Sequence, residues 1–357
     1  MPVATPGERR VLLISLGGTI AMTPNAGGGV APALSADELL AAVPGPADLD
    51  VVVQTTDFRR LPGASLGFDD LVAVMTLIRE QLAADIDGAV VVQGTDTIEE
   101  TSYLLDLYHD GPQPVVVTGA MRNPTLAGPD GPANLLAAVQ TAASPAARNL
   151  GCLVVLADEI HAARHVRKTH STAGSTFQSP NGGPFGYLVE GQPRFVNRTT
   201  HRTTVPAPAA GRHPRIALLT VSLGDDGVLL DGIAGRVDGA VIGGFGVGHV
   251  PRQLVPALSD LADKIPVILA SRTGAGSVLT STYGFPGSER DLLSRGLISA
   301  GFLDPLKARI LLRSLLAADA DRKTISAAFA IAGDYADPED WPWAESLNAK
   351  TEGVARA

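Results

Sequence analysis

Val11-Leu-Leu-Ile-Ser-Leu-Gly-Gly-Thr-Ile-Ala21 reads as a buried strand that runs straight into a turn. Val11 to Ser15 are apolar or small, the pattern of a strand covered on both faces. Gly17-Gly18 break the run and permit a sharp turn with close backbone approach. Thr19 follows at once. In an open α/β sheet, ligands bind beyond the C-terminal ends of the strands, which is where this hydroxyl falls. A threonine hydroxyl is a weak nucleophile until a base or proton relay activates it. By itself, therefore, the stretch also fits an ordinary βα turn.

Outward from there the same alternation continues. Met22 to Pro32, rich in Gly and Pro, reads as a mobile loop. Ser35-Ala-Asp-Glu38 is a capping box opening a helix to about Val43. Strands are expected at Asp50–Gln54, Ala89–Gln93, Val115–Thr118 and Cys152–Leu156. Helical spacing covers Asp69–Ala84, Ile98–Tyr108 and Pro132–Ala143. Apolar strands alternating with helices imply a mainly parallel, doubly wound sheet over residues 8–195. From 196 to 213 the periodicity gives way to Thr, Pro, Ala and Arg, which reads as a linker. Residues 214–340 return to the α/β pattern as a smaller C-terminal domain. Its strands are expected at Ile216–Val221, Gly239–Ile242 and Val267–Ala270, with closing helices at Pro305–Ala318 and Lys323–Ala332. The tail after Ala332 shows no pattern.

The 357 residues suit two domains. A net charge of −9 argues against a general nucleic-acid or anionic-membrane binder, both of which need basic surface. The single cysteine, Cys152, excludes an intrachain disulfide, sits in a strand-like run as an inert thiol, and fits a reducing compartment. The apolar run after Arg10 is too short for a signal-peptide core, and no stretch of about 18 apolar residues suggests a membrane span. The expected location is cytoplasmic.

Two further stretches bear chemistry. Gln93-Gly-Thr-Asp-Thr-Ile-Glu-Glu-Thr101 presents Gly94, a second hydroxyl on Thr95 and a carboxylate on Asp96, again at a strand end. Its alternative reading is a helix cap, with Asp96 or Thr97 capping and Glu99 or Glu100 as box partner. Two Gly-Thr strand ends in one sheet favour a site. His165-Val-Arg-Lys-Thr-His170 offers Lys168, a surface charge or, crowded by Arg164 and Arg167, a lysine whose pKa falls far enough to accept a proton. His161, His165 and His170 lack the carboxylate or thiol pattern of a metal site, and cationic neighbours oppose one.

Taken in order, GGTIA, GTDTIEET, Ala120-Met-Arg122, Asp130-Gly-Pro-x-Asn134, the VRKT lysine and Gly301-x-x-x-Pro-x-Lys-Ala-Arg309 resemble the bacterial L-asparaginase family. The resemblance runs from about Arg10 to Ala332. It implies hydrolysis of L-asparagine to L-aspartate and ammonia through a threonine nucleophile and an acyl-enzyme, without metal or organic cofactor. It also implies a homotetramer built as a dimer of intimate dimers. Thr19 matches the nucleophile; Thr95, Asp96 and Lys168 match a second cluster, with the lysine as proton relay and Asp96 holding the substrate α-ammonium. Gly18, Gly94 and Ala120 fall in the substrate-binding turns. Glu289 falls where the family places a glutamate donated across the dimer.

The chain also departs from the pattern. The family's lid tyrosine is missing from Ala26-Gly-Gly-Gly-Val30, and Tyr283, six residues before Glu289, is the replacement phenol or else a plain interface residue. Gly63 and Ala64 stand where a serine and a polar side chain meet the substrate α-carboxylate, and Gln93 stands where histidine is frequent. Alternatives are the same chemistry on another amide or lactam, L-glutamine included, or a silent paralogue that binds an amino acid. Gly244-Phe-Gly-Val-Gly248 does not match a dinucleotide fingerprint. The similar ammonia-producing subunit of a tRNA amidotransferase would need a basic patch or an added segment, and neither is visible.

Overall fold

The computed structural model describes residues 8–24, 27–43, 51–199, 201–208 and 212–344. Residues 25 and 26 of the Gly-rich loop, Asp50 of the second expected strand, and residues 200 and 209–211 of the expected linker lie outside that set. Two compact units divide between Arg202 and Thr203.

In the first unit the opening stretch is β1 (Arg9–Gly17), with Val11 to Ile14 and Leu16 wholly enclosed. Each such aliphatic side chain stabilises the fold by about 1.5–3 kcal/mol. The stretch read as a mobile loop instead forms a hairpin of β2 (Met22–Pro24) and β3 (Val30–Pro32). Ala21 carbonyl accepts from the Ala33 and Leu34 amides, which closes its base. The capping box at Ser35 is present and opens α1 (Ala36–Ala41).

β4 (Val51–Leu61) is longer than its apolar start suggested, because its outer half is polar. Then come α2 (Phe68–Ala83), β5 (Gly88–Val92), α3 (Ile98–Tyr108), β6 (Val115–Thr118), α4 (Gly131–Ala143) and β7 (Cys152–Leu156). The parallel series does not end the sheet. β8 (Glu159–Ala162) turns back antiparallel on β7. After a small ribbon of β9 (Arg167–Lys168) and β10 (Phe177–Gln178), the hairpin β11 (Gly186–Val189) and β12 (Gln192–Phe195) extends the edge.

The strand order is β12-β11-β8-β7-β6-β5-β1-β4. The chain leaves β1 to one side for β4, then returns to its other side for β5. The crevice of this sheet therefore opens beyond the C-terminal ends of β1, β4 and β5. Val11, Leu13, Val90, Val92 and Val116 pack beneath Leu39 of α1 and Leu135 of α4. The two-residue period sends Leu12, Ile14 and Val91 to the opposite face.

The second unit carries a four-stranded parallel sheet of β13 (Ile216–Thr220), β14 (Gly239–Gly244), β15 (Val267–Ser271) and β16 (Ile298–Ser299) in sequential order. Its helices are α5 (Val255–Ala262), α6 (Glu289–Ser294), α7 (Pro305–Ala317) and α8 (Arg322–Ala332). In the Pro-x-Lys-Ala-Arg motif, Asp304 caps α7 by accepting from the Leu306 and Lys307 amides. The enclosed Lys307 ammonium returns to Asp304 at 3.1 Å. The motif is a helix start. The described part of the patternless tail, to residue 344, is anchored, since Trp341 is 4% exposed and its Nε1 donates to the Thr204 carbonyl at 2.8 Å.

Two buried histidines make the first unit acid-sensitive. Burial, with Arg202 nearby, takes His109 from its ordinary 6.5 to about 4, and burial alone takes His161 to about 4. Both are neutral when folded, so the Glu159–His161 contact at 3.2 Å is not an ion pair at neutral pH. Their folded pKa lies below the unfolded one, so the unfolded chain binds more protons between pH 6.5 and 4. Stability present above pH 6.5 is then lost as the pH falls toward 4, with a limiting slope of about 1.4 kcal/mol per pH unit for each group. Urea midpoints of the wild type and His109→Gln, compared at pH 7 and 4.5, should show a smaller acid loss in the variant. The difference separates this effect from Asp106, whose carboxyl burial pushes up and which acts in the opposite sense. Equal losses would remove His109 as a cause.

Candidate active site

At the end of β1 the strand register slips between Ser15 and Gly17, and Gly17 and Gly18 take φ of 98° and 86°. Thr19 begins a short 3₁₀ turn with its side chain half-buried. Ile20 is enclosed behind it against Gly131, where an added Cβ would lie 2.7 Å from the isoleucine. The turn thus buries its second residue and leaves its first at the crevice.

Three glycines bring three strand ends together through bare backbone. A Cβ on Gly18 would sit 2.0 Å from the Gly94 nitrogen, one on Gly63 2.7 Å from the Gly94 oxygen, and one on Gly94 2.6 Å from the Gly63 nitrogen. The loops after β1, β4 and β5 therefore touch with no side chain between them. This answers the puzzle of Gly63. A serine at that position has no room, whatever it would offer a substrate.

Beyond Gly94, Thr95 is 5% exposed and accepts a hydrogen bond from Lys168 Nζ at 3.0 Å. The same ammonium donates to Asp96 Oδ1 at 3.2 Å. Since Lys168 occupies a lone pair of Thr95 Oγ1, the hydroxyl hydrogen is left to point elsewhere. The cap reading of this stretch does not hold, as neither Asp96 nor Thr97 makes a side-chain cap on α3. Lys168 reaches the strand end from β9, where it pairs with Phe177 of β10. The charge it touches is the Asp96 carboxylate; Arg167 instead approaches Glu99, at 4.0 Å.

The Ala120-Met-Arg and Asp-Gly-Pro-x-Asn motifs form one brace. Asp130 accepts from the Met121 and Arg122 amides at 3.0 and 2.8 Å. Asn134 donates to the Gly119 carbonyl at 3.0 Å and accepts from the Ala157 amide at 2.9 Å. The loop after β6 is thereby fixed to the end of β7. The Ala120 side chain is enclosed, so only its backbone can meet a ligand. Ala64 is exposed in the turn after β4.

His161, His165 and His170, the histidines weighed as metal ligands, serve separate local ends. His161 Nδ1 pairs with Ser179 Oγ at 3.0 Å, His165 meets Phe185 edge-on, and His170 Nδ1 accepts from the Thr172 and Ala173 amides. Among the described residues, no group of three His, Cys, Asp or Glu side chains is arranged to hold a metal.

In the second unit Glu289 is wholly enclosed. Its Oε1 accepts from the Thr282 and Tyr283 amides at 3.0 and 2.8 Å, and its Oε2 meets His249 Nε2 at 3.2 Å. Burial alone would raise the carboxyl pKa, but these hydrogen bonds outweigh it and lower it. Within the chain, Glu289 braces the loop carrying Tyr283. That tyrosine is 43% exposed and stands edge-on to His249, with Phe285 beside both.

Sequence reasoning missed Thr97 and the structural part played by Gln93. The amide of Gln93 sits under the Gly94 turn and bonds to Thr97, a contact that motif matching does not reveal because neither residue offers reactive chemistry.

Comparison with known proteins places these features in context. Residues 10–201 match the model of the asparaginase N-terminal domain, and residues 215–329 that of the glutaminase/asparaginase C-terminal domain. The chain is 37% identical over 336 residues to a probable L-asparaginase of Deinococcus radiodurans, covering 92% of this chain and 98% of that one. It is 33% identical over 321 residues to an L-asparaginase of Bacillus licheniformis, covering 87% and 96%. A crystal structure of a probable cytoplasmic L-asparaginase from Campylobacter jejuni superposes with a TM-score of 0.81 at 33% identity, covering 90% of this chain and 99% of that one.

Proposed function

Because the chain belongs to the bacterial L-asparaginase family, we propose that Thr19 is the nucleophile with which it hydrolyses L-asparagine to L-aspartate and ammonia. The observation that carries this assignment is the Lys168–Thr95 hydrogen bond of 3.0 Å, one loop away from Thr19 across the Gly18–Gly94 contact. Thr19 Oγ1 attacks the side-chain amide carbon, and backbone N–H groups of the glycine turns meet the developing oxyanion. The amide nitrogen takes up a proton, the C–N bond breaks, and ammonia leaves an aspartyl ester on Thr19. Water attacks the ester, its proton passing to Thr19 Oγ1 by way of the Thr95 hydroxyl, which the Lys168 ammonium orients. With Thr19 reprotonated, aspartate departs. Asp96, 62% exposed, receives the substrate α-ammonium.

Gly63 and Ala64 bring no polar side chain to the α-carboxylate. This favours a second reading in which other amides, L-glutamine included, are also cleaved. The active assembly is a homotetramer of intimate dimers in the cytoplasm. In it, Glu289 and the loop it braces, with the Tyr283 phenol, complete a neighbouring copy's site. A cytoplasmic site agrees with the Campylobacter protein, a probable cytoplasmic L-asparaginase. The chemistry needs no metal or organic cofactor.

Ammonia release from asparagine, glutamine and a panel of simple amides tests this reading. Asparagine should be turned over fastest. Silence toward every amide, with asparagine still raising the melting temperature, would instead make the chain an amino-acid-binding protein.

A further inference from the structure

Gln93 follows the last residue of β5 as a wholly buried amide. Its Nε2 donates to the Gly94 carbonyl and to Thr97 Oγ1, both at 3.1 Å. Thr97 Oγ1 in turn donates to the Gly63 carbonyl at 3.1 Å. Both ends of this chain of bonds are carbonyls, which only accept, so the amide must present its nitrogen inward. That orientation leaves Oε1 buried without a hydrogen-bond partner among the described residues. Flipping the amide would set its oxygen against the Gly94 carbonyl.

We propose that Gln93 is a positioning residue for the hydrolytic site. Through one bond it sets the Gly94–Thr97 backbone, and with it the Thr95 and Asp96 side chains. Through Thr97 it locks the Gly63–Ser65 turn against them. The loops after β4 and β5 touch backbone to backbone, so one amide governs both the proton-relay side and the substrate side of the crevice. The inference rests on the amide-hydrolase reading, since it is the Thr95 relay that Gln93 aligns.

Gln93→Leu, Gln93→Glu and Thr97→Val test it, through kcat and KM for asparagine across pH 5–9 and through melting temperature. Gln93→Leu removes both donors, and a misplacement of about 1 Å at a relay costs roughly a hundredfold in rate. Its kcat should therefore fall by about that factor. Thr97→Val cuts only the link to Gly63, so KM should rise with kcat nearly kept. Gln93→Glu supplies the most specific readout. A protonated carboxyl can still donate to one acceptor, whereas a carboxylate confronts the Gly94 carbonyl with no hydrogen to offer. Its activity should be present at low pH and fall steeply as the buried acid ionises, a limb absent from the wild-type profile.

A Gln93→Leu enzyme with lowered melting temperature but wild-type kcat, or a Gln93→Glu enzyme with the wild-type pH profile, would overturn the proposal. If Gln93→Leu does not fold, the Glu and Val variants decide. A crystal structure of any folded Gln93 variant reads the same question without turnover: parted Gly63 and Gly94, with Thr95 out of reach of Lys168, support it, and unmoved loops refute it. A wild type that releases no ammonia at all refutes the hydrolase reading, and that structure then decides on Gln93 alone.

Discussion

Thr19→Ala should release no ammonia from asparagine above background while melting within a degree or two of the wild type. The substitution removes one half-buried hydroxyl from a 3₁₀ turn and leaves Ile20 in its enclosed seat. Substitutions of that kind, away from any packed contact, usually change stability by about 0.5 kcal/mol or less. The catalytic loss is of another order. Removing a nucleophile that works with its relay costs roughly 10⁴-fold or more in kcat. Thr95→Ala and Lys168→Met should each be severely impaired, and the double variant little worse than either. The two side chains share one hydrogen bond and act as a unit. Losses that multiply would make Lys168 an independent charge, and a Thr19→Ala protein retaining more than a small fraction of activity would move the nucleophile elsewhere.

Gly18→Ala, one residue earlier, should do the reverse and damage the fold first. Its Cβ would lie 2.0 Å from the Gly94 nitrogen and 2.4 Å from the Gly94 Cα, at a φ of 86° that an alanine resists. The obstacle is backbone held between two central strands, so no side chain can swing away to relieve it. A loss of about 4 kcal/mol, at the high end for single substitutions, is expected. The urea midpoint should fall markedly, and any folded remainder should be inactive because Thr95 and Thr19 can no longer share one crevice. An unchanged midpoint would mean that the loops have room which these distances deny. The pair of substitutions separates chemistry from architecture at adjacent positions.

The parallel core was legible because its strands are apolar runs with nothing else to be: Cys152–Leu156 and Val115–Thr118 fall on the expected residues. What escaped was polar or short. The outer half of β4 carries Thr, Asp and Arg, and the antiparallel edge strands β8, β11 and β12 follow tight turns without a helix to announce them. Thr19, Thr95, Asp96 and Lys168 were visible as motifs at strand ends. The clustering of Thr95, Asp96 and Lys168 was legible only through the family resemblance, because it depends on a ribbon that carries Lys168 across 73 positions of sequence to Thr95. Glu289 shows the same limit. Motif order located it, but the bonds of its carboxylate to the Thr282 and Tyr283 amides were not visible in the sequence.

The staple from Trp341 Nε1 to the Thr204 carbonyl gives the protein a direction in time. Arg202, the last residue of the first unit, donates to the His109 and Gly111 carbonyls within that unit. All its partners precede it, so the ribosome can deliver a finished first unit while the second is still being translated. The second unit has no such early closure. Its strands pair in the order of synthesis, yet its entry at Thr204 is latched by a tryptophan that follows the whole of its sheet in the chain. A nascent chain stalled before Trp341 would carry a folded first unit and a second unit whose entry is not yet latched.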